Sequence, residues 1–239
     1  MRNASGTTPA ETRLVTSFQT AIGALPDNSV GVQTISDAAR LLGVECWPLG
    51  VTIFNHPVII AKELTPAAVN GPLSGYKQAI SGSFSYNCKP CSILITQGKV
   101  VCDSACHSWL GKPESVLYRK YDGTFGIRRA MSAQELPNGI KWAIGGVGLL
   151  ASYDPAAEGF TGTYADVLRK TAHTFVGCKG RHVYLCYVSG MTGQQVNAQA
   201  KKLGLEMAVM LDGGHVAAIN SESTQINVGQ KQYYIVQGV

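Results

Sequence analysis

Four of the seven cysteines stand close together, as Cys88-Lys-Pro-Cys91 and Cys102-Asp-Ser-Ala-Cys106. Between them runs SILITQGKVV, two apolar stretches around Gln97-Gly98. A two-residue hairpin there pairs Thr96 with Lys99 and Ile93 with Cys102. Cys91 then shares a face with Ile93, and Cys102 lies diagonally across, so all four sulfurs gather near the open end. Four thiolates suit a structural zinc, with C-x2-C as the usual half-site and no position left for water. The looser C-x3-C half matches no common pattern, so a disulfide or free buried thiols are the alternatives. Cys178 and Cys186 flank a second hairpin around Lys179-Gly180-Arg181 and read as buried thiols. An odd count leaves one cysteine unpaired within the chain, which fits a reducing compartment.

The second chemical feature is an acid. MAVML (207–211) is a continuous apolar run, bounded at once by Asp212-Gly213-Gly214. Such a run reads as a strand covered on both faces, which places Asp212 beyond its carboxyl end. The two glycines let the backbone turn sharply and approach a ligand. The competing reading is a plain D-G-G turn. Ser83 and Ser104 show no base at a readable spacing, and no phosphate-binding G-x-x-x-x-G-K-[ST] occurs. His56, His107 and His182 read as ordinary loop or surface residues.

The elements that position these residues are mostly strands. A short helix is expected at 14–23, and another at 36–43, where Ser36 caps and Gly43 stops it. VTIF (51–54) and VIIAK (58–62) suggest a hairpin. Leu64 to Gly75 carries two prolines and two glycines and reads as a loop or linker. Beyond Tyr76 come ILIT, KVV, YRKY, GTFGIRR, KWAIGG, a polar loop at 152–167, HVYLCYV and YYIV. Thr192 and Gln195 form a T-x-x-Q capping box for a helix at 193–203, which Gly204 ends. Strand 183–188, that helix and strand 207–211 make one β-α-β unit. The expected fold is α/β (α+β in stricter usage), a strand-rich, mostly antiparallel sheet with few helices. Residues 1–75 are expected to form an N-terminal segment, helix and hairpin, packed on a main domain at 76–239.

Hydrophobic residues make up 45% of the 239 and charged residues 15%, a balance that excludes disorder. The net charge of +5 comes from scattered Lys and Arg, without the one-sided clustering of a sequence-specific nucleic-acid binder. A small anionic ligand suits it better. No apolar run reaches the length of a membrane span, and MRNASGTTPAETR lacks the apolar core of a secretory signal. The expectation is a soluble, cytoplasmic protein with no membrane partner. Its oligomeric state is not readable.

In order, SGSFSYNCKPCSILITQGKVV, KWAIGGVGLL, KTAHTFVGCKGRHVYLCYVSG, the capped helix with its L-G, and AVMLDGGHVAAIN resemble the phosphodiester glycosidase family. The resemblance spans roughly residues 76–239. That family's pattern has asparagine where this chain has Ser81, arginine where it has Lys170 (with Arg169 adjacent), and G-S where it has His215-Val216. The resemblance implies a hydrolase cleaving a glycosyl phosphodiester, a sugar-1-phosphate diester or a nucleotide-derived glycosyl phosphate. Asp212 is then the catalytic carboxylate, His215 the acid or base, and His173 its deputy. Lys170, Arg169, Thr171, Ser81, Gly213 and Gly214 bind the phosphate or the substrate. Asp154 or Glu158 supplies a second acid. No cofactor is required for that chemistry. The departures support an alternative, a protein that sequesters a phosphorylated sugar or nucleotide-like signalling ligand without turnover.

Overall fold

A computed structural model describes residues 9–21, 56–162 and 165–239. The helix expected at 36–43 and the strand expected at 51–54 lie outside those residues. The chain divides into two compact units, Met1–Phe54 and Asn55–Val239. Of the first, the described part is helix α1 (Pro9–Ala21), which begins earlier than expected. Proline suits that first position, where its missing N–H costs nothing.

The second unit is built from strands. In chain order they are β1 (Val58–Ala61), β2 (Leu64–Pro72), β3 (Ala79–Ser81), β4 (Ser85–Tyr86), β5 (Lys89–Pro90), β6 (Leu94–Thr96), β7 (Lys99–Cys102) and β8 (Glu114–Lys120). Then come β9 (Phe125–Ala130), β10 (Ile140–Gly148), β11 (Thr171–Lys179), β12 (His182–Met191), β13 (Met207–Gly213), β14 (Ile219–Asn220), β15 (Gln225–Ile226) and β16 (Lys231–Gly238). Helix α2 (Ala165–Leu168) precedes β11, and α3 (Gly193–Lys202) joins β12 to β13. One sheet runs β1-β12-β11-β13-β10-β6-β7, with β8 on β10 and β9 on β8. A second runs β15-β14-β3-β16-β2, and β4 and β5 form a separate ribbon. The strand-rich antiparallel fold with few helices is as the pattern implies. The core draws on both sheets, with Trp142, Ile144, Val176 and Leu185 of the first packed in one cluster with Ile80 and Tyr234 of the second.

The β-α-β unit is present but split. β12 and β13 are each antiparallel to β11, which lies between them, so they run parallel to each other. The capping box of α3 forms as expected. Thr192 Oγ1 accepts the Gln195 N–H at 3.3 Å, and Gln195 Oε1 accepts the Thr192 N–H at 2.9 Å.

Two expectations are overturned. Residues 64–72 are a strand rather than a linker. Among the described residues β2 lies at the edge of its sheet, paired only with β16, so Pro66 opposite Val236 removes no bond from a second neighbour there. In the β6–β7 hairpin Thr96 does pair with Lys99, but Leu94, not Ile93, faces Cys102. Val101 is an extra residue in β7, and a one-residue slip carries Cys102 to the opposite face.

Close backbone approach explains the glycine-rich β10. A Cβ at Gly145 would stand 2.1 Å from Glu114 Oε1, and one at Gly146 would stand 2.5 Å from the Met210 carbonyl of β13.

Candidate active site

Asp212 sits in the last turn of a strand that burial makes rigid. Ala208, Val209, Met210 and Leu211 are wholly buried, and β11 and β10 pair with β13. The Asp212 N–H donates to Gly82 O at 3.2 Å, and its carbonyl accepts the Thr174 hydroxyl at 3.3 Å. Its Oδ1 accepts the Gly213 N–H at 2.8 Å. Burial pushes the Asp212 carboxyl up to about 7; the Gly213 bond opposes that rise, and the nearby Asp166 charge adds to it.

Asp166 comes from α2, a single helical turn just before β11. It pairs with Arg169 one turn on. The D-G-G turn is shaped around it. Gly214 holds φ at +71°, and a Cβ there would lie 3.0 Å from Asp166 Oδ2. A Cβ at Gly213 would lie 2.9 Å from the Ala172 carbonyl and 3.1 Å from that of Asp166. Gly214→Ala is therefore expected to destabilise by about 1–2 kcal/mol and to displace Asp166. Thermal melting checks the first effect, and a changed pH dependence of Asp212 chemistry checks the second.

These side chains border a cavity of about 860 Å³. Asp212, Asp166 and Arg169 contribute its charged part, Cys91 and Cys106 a sulfur edge, and Phe84, Tyr86, Trp109 and Phe160 an aromatic wall. Phe84 and Phe160 have ring centroids 4.8 Å apart, and His107 meets Phe160 edge-on at 4.4 Å. Phe84 and Phe160 are buried, whereas Tyr86 and Trp109 are 73% and 71% exposed and offer free ring faces.

The structure brings some of the expected residues together. Arg169, Gly213, Gly214 and His173 surround Asp166 and Asp212. His173 is buried, and its Nε2 lies 2.8 Å from Met191 O and 3.3 Å from Arg169 O. Two carbonyls fix Nε2 as the protonated nitrogen, and burial holds the imidazole pKa down. Its Nδ1 has no hydrogen-bond partner among the described residues and lies 3.0 Å from a Cβ position at Gly213. A neutral His173 so anchors the chain at Arg169. Thr171 begins β11 opposite Met191, half-buried.

Others stand apart. Lys170 and His215 are exposed, and neither borders the cavity. Ser81 is buried between strands, where its Oγ accepts the Ala218 N–H at 3.1 Å and lies 3.3 Å from Thr174 Oγ1. Of the acids in the polar loop, Asp154 caps Ala157 N–H. Glu158 is buried against Ser115, Gly148 and Arg129. Asp166, at the loop's end, is the one that reaches Asp212. Its D-x-x-R spacing with Arg169 was the available signal.

The four clustered sulfurs do not converge. Asn87 and Cys88 both have positive φ and form the tip of the β4–β5 ribbon, which leaves Cys88 exposed. Cys102 donates to Ser104 O at 3.8 Å. Cys91 and Cys106 alone meet, at 3.8 Å. Among the described residues no group of three or more His, Cys, Asp or Glu stands ready to hold a metal ion. No helix among them is long and apolar enough to cross a membrane.

Two packed antiparallel sheets with an acidic cavity at the end of a buried strand define the class of protein. Residues 65–233 match the sequence profile of the phosphodiester glycosidases, and the chain belongs to that family. Among solved structures it resembles the zebrafish N-acetylglucosamine-1-phosphodiester alpha-N-acetylglucosaminidase catalytic domain, auto-inhibited by its pro-peptide. The TM-score is 0.55 at 16% identity, over 74% of this chain and 72% of that one. A hypothetical protein from Synechocystis is also similar, with a TM-score of 0.52 at 10% identity, over 76% of this chain and 59% of that one. No curated protein sequence matches the chain.

Proposed function

We propose that this chain hydrolyses glycosyl phosphodiesters, with Asp212 as general base and Arg169 as the phosphate's counter-charge. The observation that carries the reading is the half-buried Asp212 carboxyl beside an Asp166–Arg169 pair, all bordering one cavity, with desolvation raising the Asp212 carboxyl to about 7. A base with a pKa near 7 is matched to neutral pH. Water adds to the anomeric carbon, its proton passes to Asp212, and the bond from that carbon to the phosphate oxygen breaks. The phosphomonoester leaves with the bridging oxygen and needs little acid help. Arg169 turns from Asp166 to the phosphate when substrate binds, and exposed Lys170, next to it in the chain, adds to the positive field. Membership of the family supports hydrolysis of this kind. Arg169→Gln is expected to raise KM about tenfold to a hundredfold, the value of one or two charge-assisted hydrogen bonds.

A second reading has its own observation, the exposed rings of Tyr86 and Trp109. Ring faces bind sugars and planar bases without contributing to bond cleavage. With the departures at Ser81, Lys170 and His215, they favour a protein that holds a phosphorylated sugar or nucleotide-like ligand intact. Incubation with sugar-1-phosphate diesters and glycosylated or cyclic nucleotides separates the two. Free sugar and phosphomonoester establish the hydrolase. Quantitative recovery of unchanged ligand from a tight complex establishes sequestration and rejects it.

A further inference from the structure

Cys91 and Cys106 border the Asp212 cavity with their Sγ atoms 3.8 Å apart, and the carboxylate chemistry uses neither. They lie 15 residues apart on separate backbones that are held against each other. The Cys91 N–H donates to Phe84 O at 3.0 Å. Buried Glu114 accepts the Cys106 N–H at 3.2 Å and the Ile93 N–H at 2.6 Å, so one carboxyl braces both cysteine-bearing segments. The fold has thus already met the entropic cost of closing the loop between them. A disulfide needs the sulfurs about 2.05 Å apart, so they must approach by less than about 2 Å. The other described cysteines are placed differently, with Cys178 and Cys186 buried in the first sheet and Cys88 at a ribbon tip.

We propose that Cys91 and Cys106 form a reversible dithiol–disulfide site in the wall of the Asp212 cavity, whose reaction partner is a small soluble disulfide of the glutathione type. The Cys91 thiolate attacks one sulfur of R–S–S–R, giving Cys91–S–S–R and releasing RS⁻. Cys106 then loses its proton to the medium and attacks Cys91 Sγ, which releases the second RS⁻. The two thiolates take up protons. In sum the protein loses two protons and two electrons, and one R–S–S–R becomes two R–SH.

The pair shares one hydrogen bond in which either sulfur can donate. With Cys106 as the donor, that bond favours the Cys91 thiolate and, together with burial, disfavours that of Cys106. Cys91 is the nucleophile and Cys106 the resolving thiol. Oxidation also has a mechanical reach. Cys91 is tied to Phe84, whose ring packs on Phe160, and His107 beside Cys106 touches the same Phe160 ring. Drawing the sulfurs together reshapes the aromatic wall.

The test uses the reduced full-length protein and bis(2-hydroxyethyl) disulfide, followed by acid quench and peptide mass mapping. The expected product is a Cys91–Cys106 link, lighter by two hydrogens and reversed by dithiothreitol. Cys106→Ser is expected to accumulate a 2-mercaptoethanol adduct on Cys91 that goes no further. Cys91→Ser is expected to give neither link nor adduct at Cys106 in the same time. The proposal is overturned if wild-type Cys91 and Cys106 stay reduced while Cys88 or Cys102 reacts. It is equally overturned if Cys106 takes the adduct in Cys91→Ser as fast as Cys91 reacts in wild type. Should a serine variant fail to fold, the wild-type map alone decides, and none of this requires turnover.

Discussion

Asp212→Asn is expected to cut turnover of a glycosyl phosphodiester about a thousandfold, some 4 kcal/mol of barrier, without lowering the melting temperature. Asparagine keeps an oxygen for the Gly213 N–H, which Asp212 Oδ1 accepts at 2.8 Å. What it removes is a charge that burial disfavours. The sign of the stability effect follows from the carboxyl's rise from 3.8 to about 7. Between those values the unfolded chain ionises and the folded one stays protonated. Stability is full below about pH 4 and falls as pH rises to about 7. The variant lacks that fall, so at neutral pH it should melt at or above wild type, with a flatter pH profile. In wild type, kcat/KM should rise with pH through about 7 as the base deprotonates. If melting drops by several degrees while activity survives, Asp212 is a turn residue and the site assignment is wrong.

Glu114→Ala is expected to be the most destabilising single change, at about 3–5 kcal/mol. It strips the acceptor from the Ile93 N–H, the Ser92 hydroxyl at 2.7 Å and the Cys106 N–H. The Ile93 N–H stays buried and the Cys106 N–H half-buried, neither with an equivalent partner. Glu114→Gln keeps the bulk and one acceptor and should cost less than half as much. Burial raises the Glu114 carboxyl to about 8, against the three hydrogen bonds that favour its charge. By the same linkage its stabilising share is complete below about pH 4.5 and lost as pH climbs to about 8. Chemical denaturation across that range measures the loss, and the glutamine variant should remove it. An alanine variant as stable as wild type would mean that Glu114 braces nothing.

The legible parts of this protein were those with a local physical cause. The apolar run into Asp212-Gly213-Gly214, the Thr192–Gln195 capping box and the Gln97-Gly98 turn each depend on residues within a few positions. β2 was not legible, because its prolines forbid a central strand and only the sheet order shows that it lies at an edge. The cysteine geometry failed on one bulged residue, Val101, which no pattern of residue types marks. In the site, Asp212 and Arg169, which the family resemblance singles out, border the cavity, and Gly213 and Gly214 pack against Asp166 behind it. His173 gathers with them, but its Nε2 proton is committed to backbone carbonyls. Asp166 was overlooked because the loop before it has no period, and only the fold brings α2 against β13.

The order β15-β14-β3-β16-β2 of the second sheet sets when that sheet can assemble. Its strands come from residues 64–81 and 219–238, so only the β14–β15 pairing is local. Ser81 Oγ reaches Ala218 across 137 positions, and the Gln237 side chain reaches Lys77 across 160. The β11–β12 hairpin and the α3 crossover need only their own neighbourhood. They can form while the chain is still emerging from the ribosome, whereas this sheet must wait for β16. Loop closure of that length slows folding. The Asp212 N–H rests on Gly82, one residue beyond β3, so its final placement waits on the same closure. Gly82 is itself held by β16, its N–H donating to Tyr234 O at 2.7 Å, so a nascent chain cut short of β16 is expected to lack the support beneath Asp212.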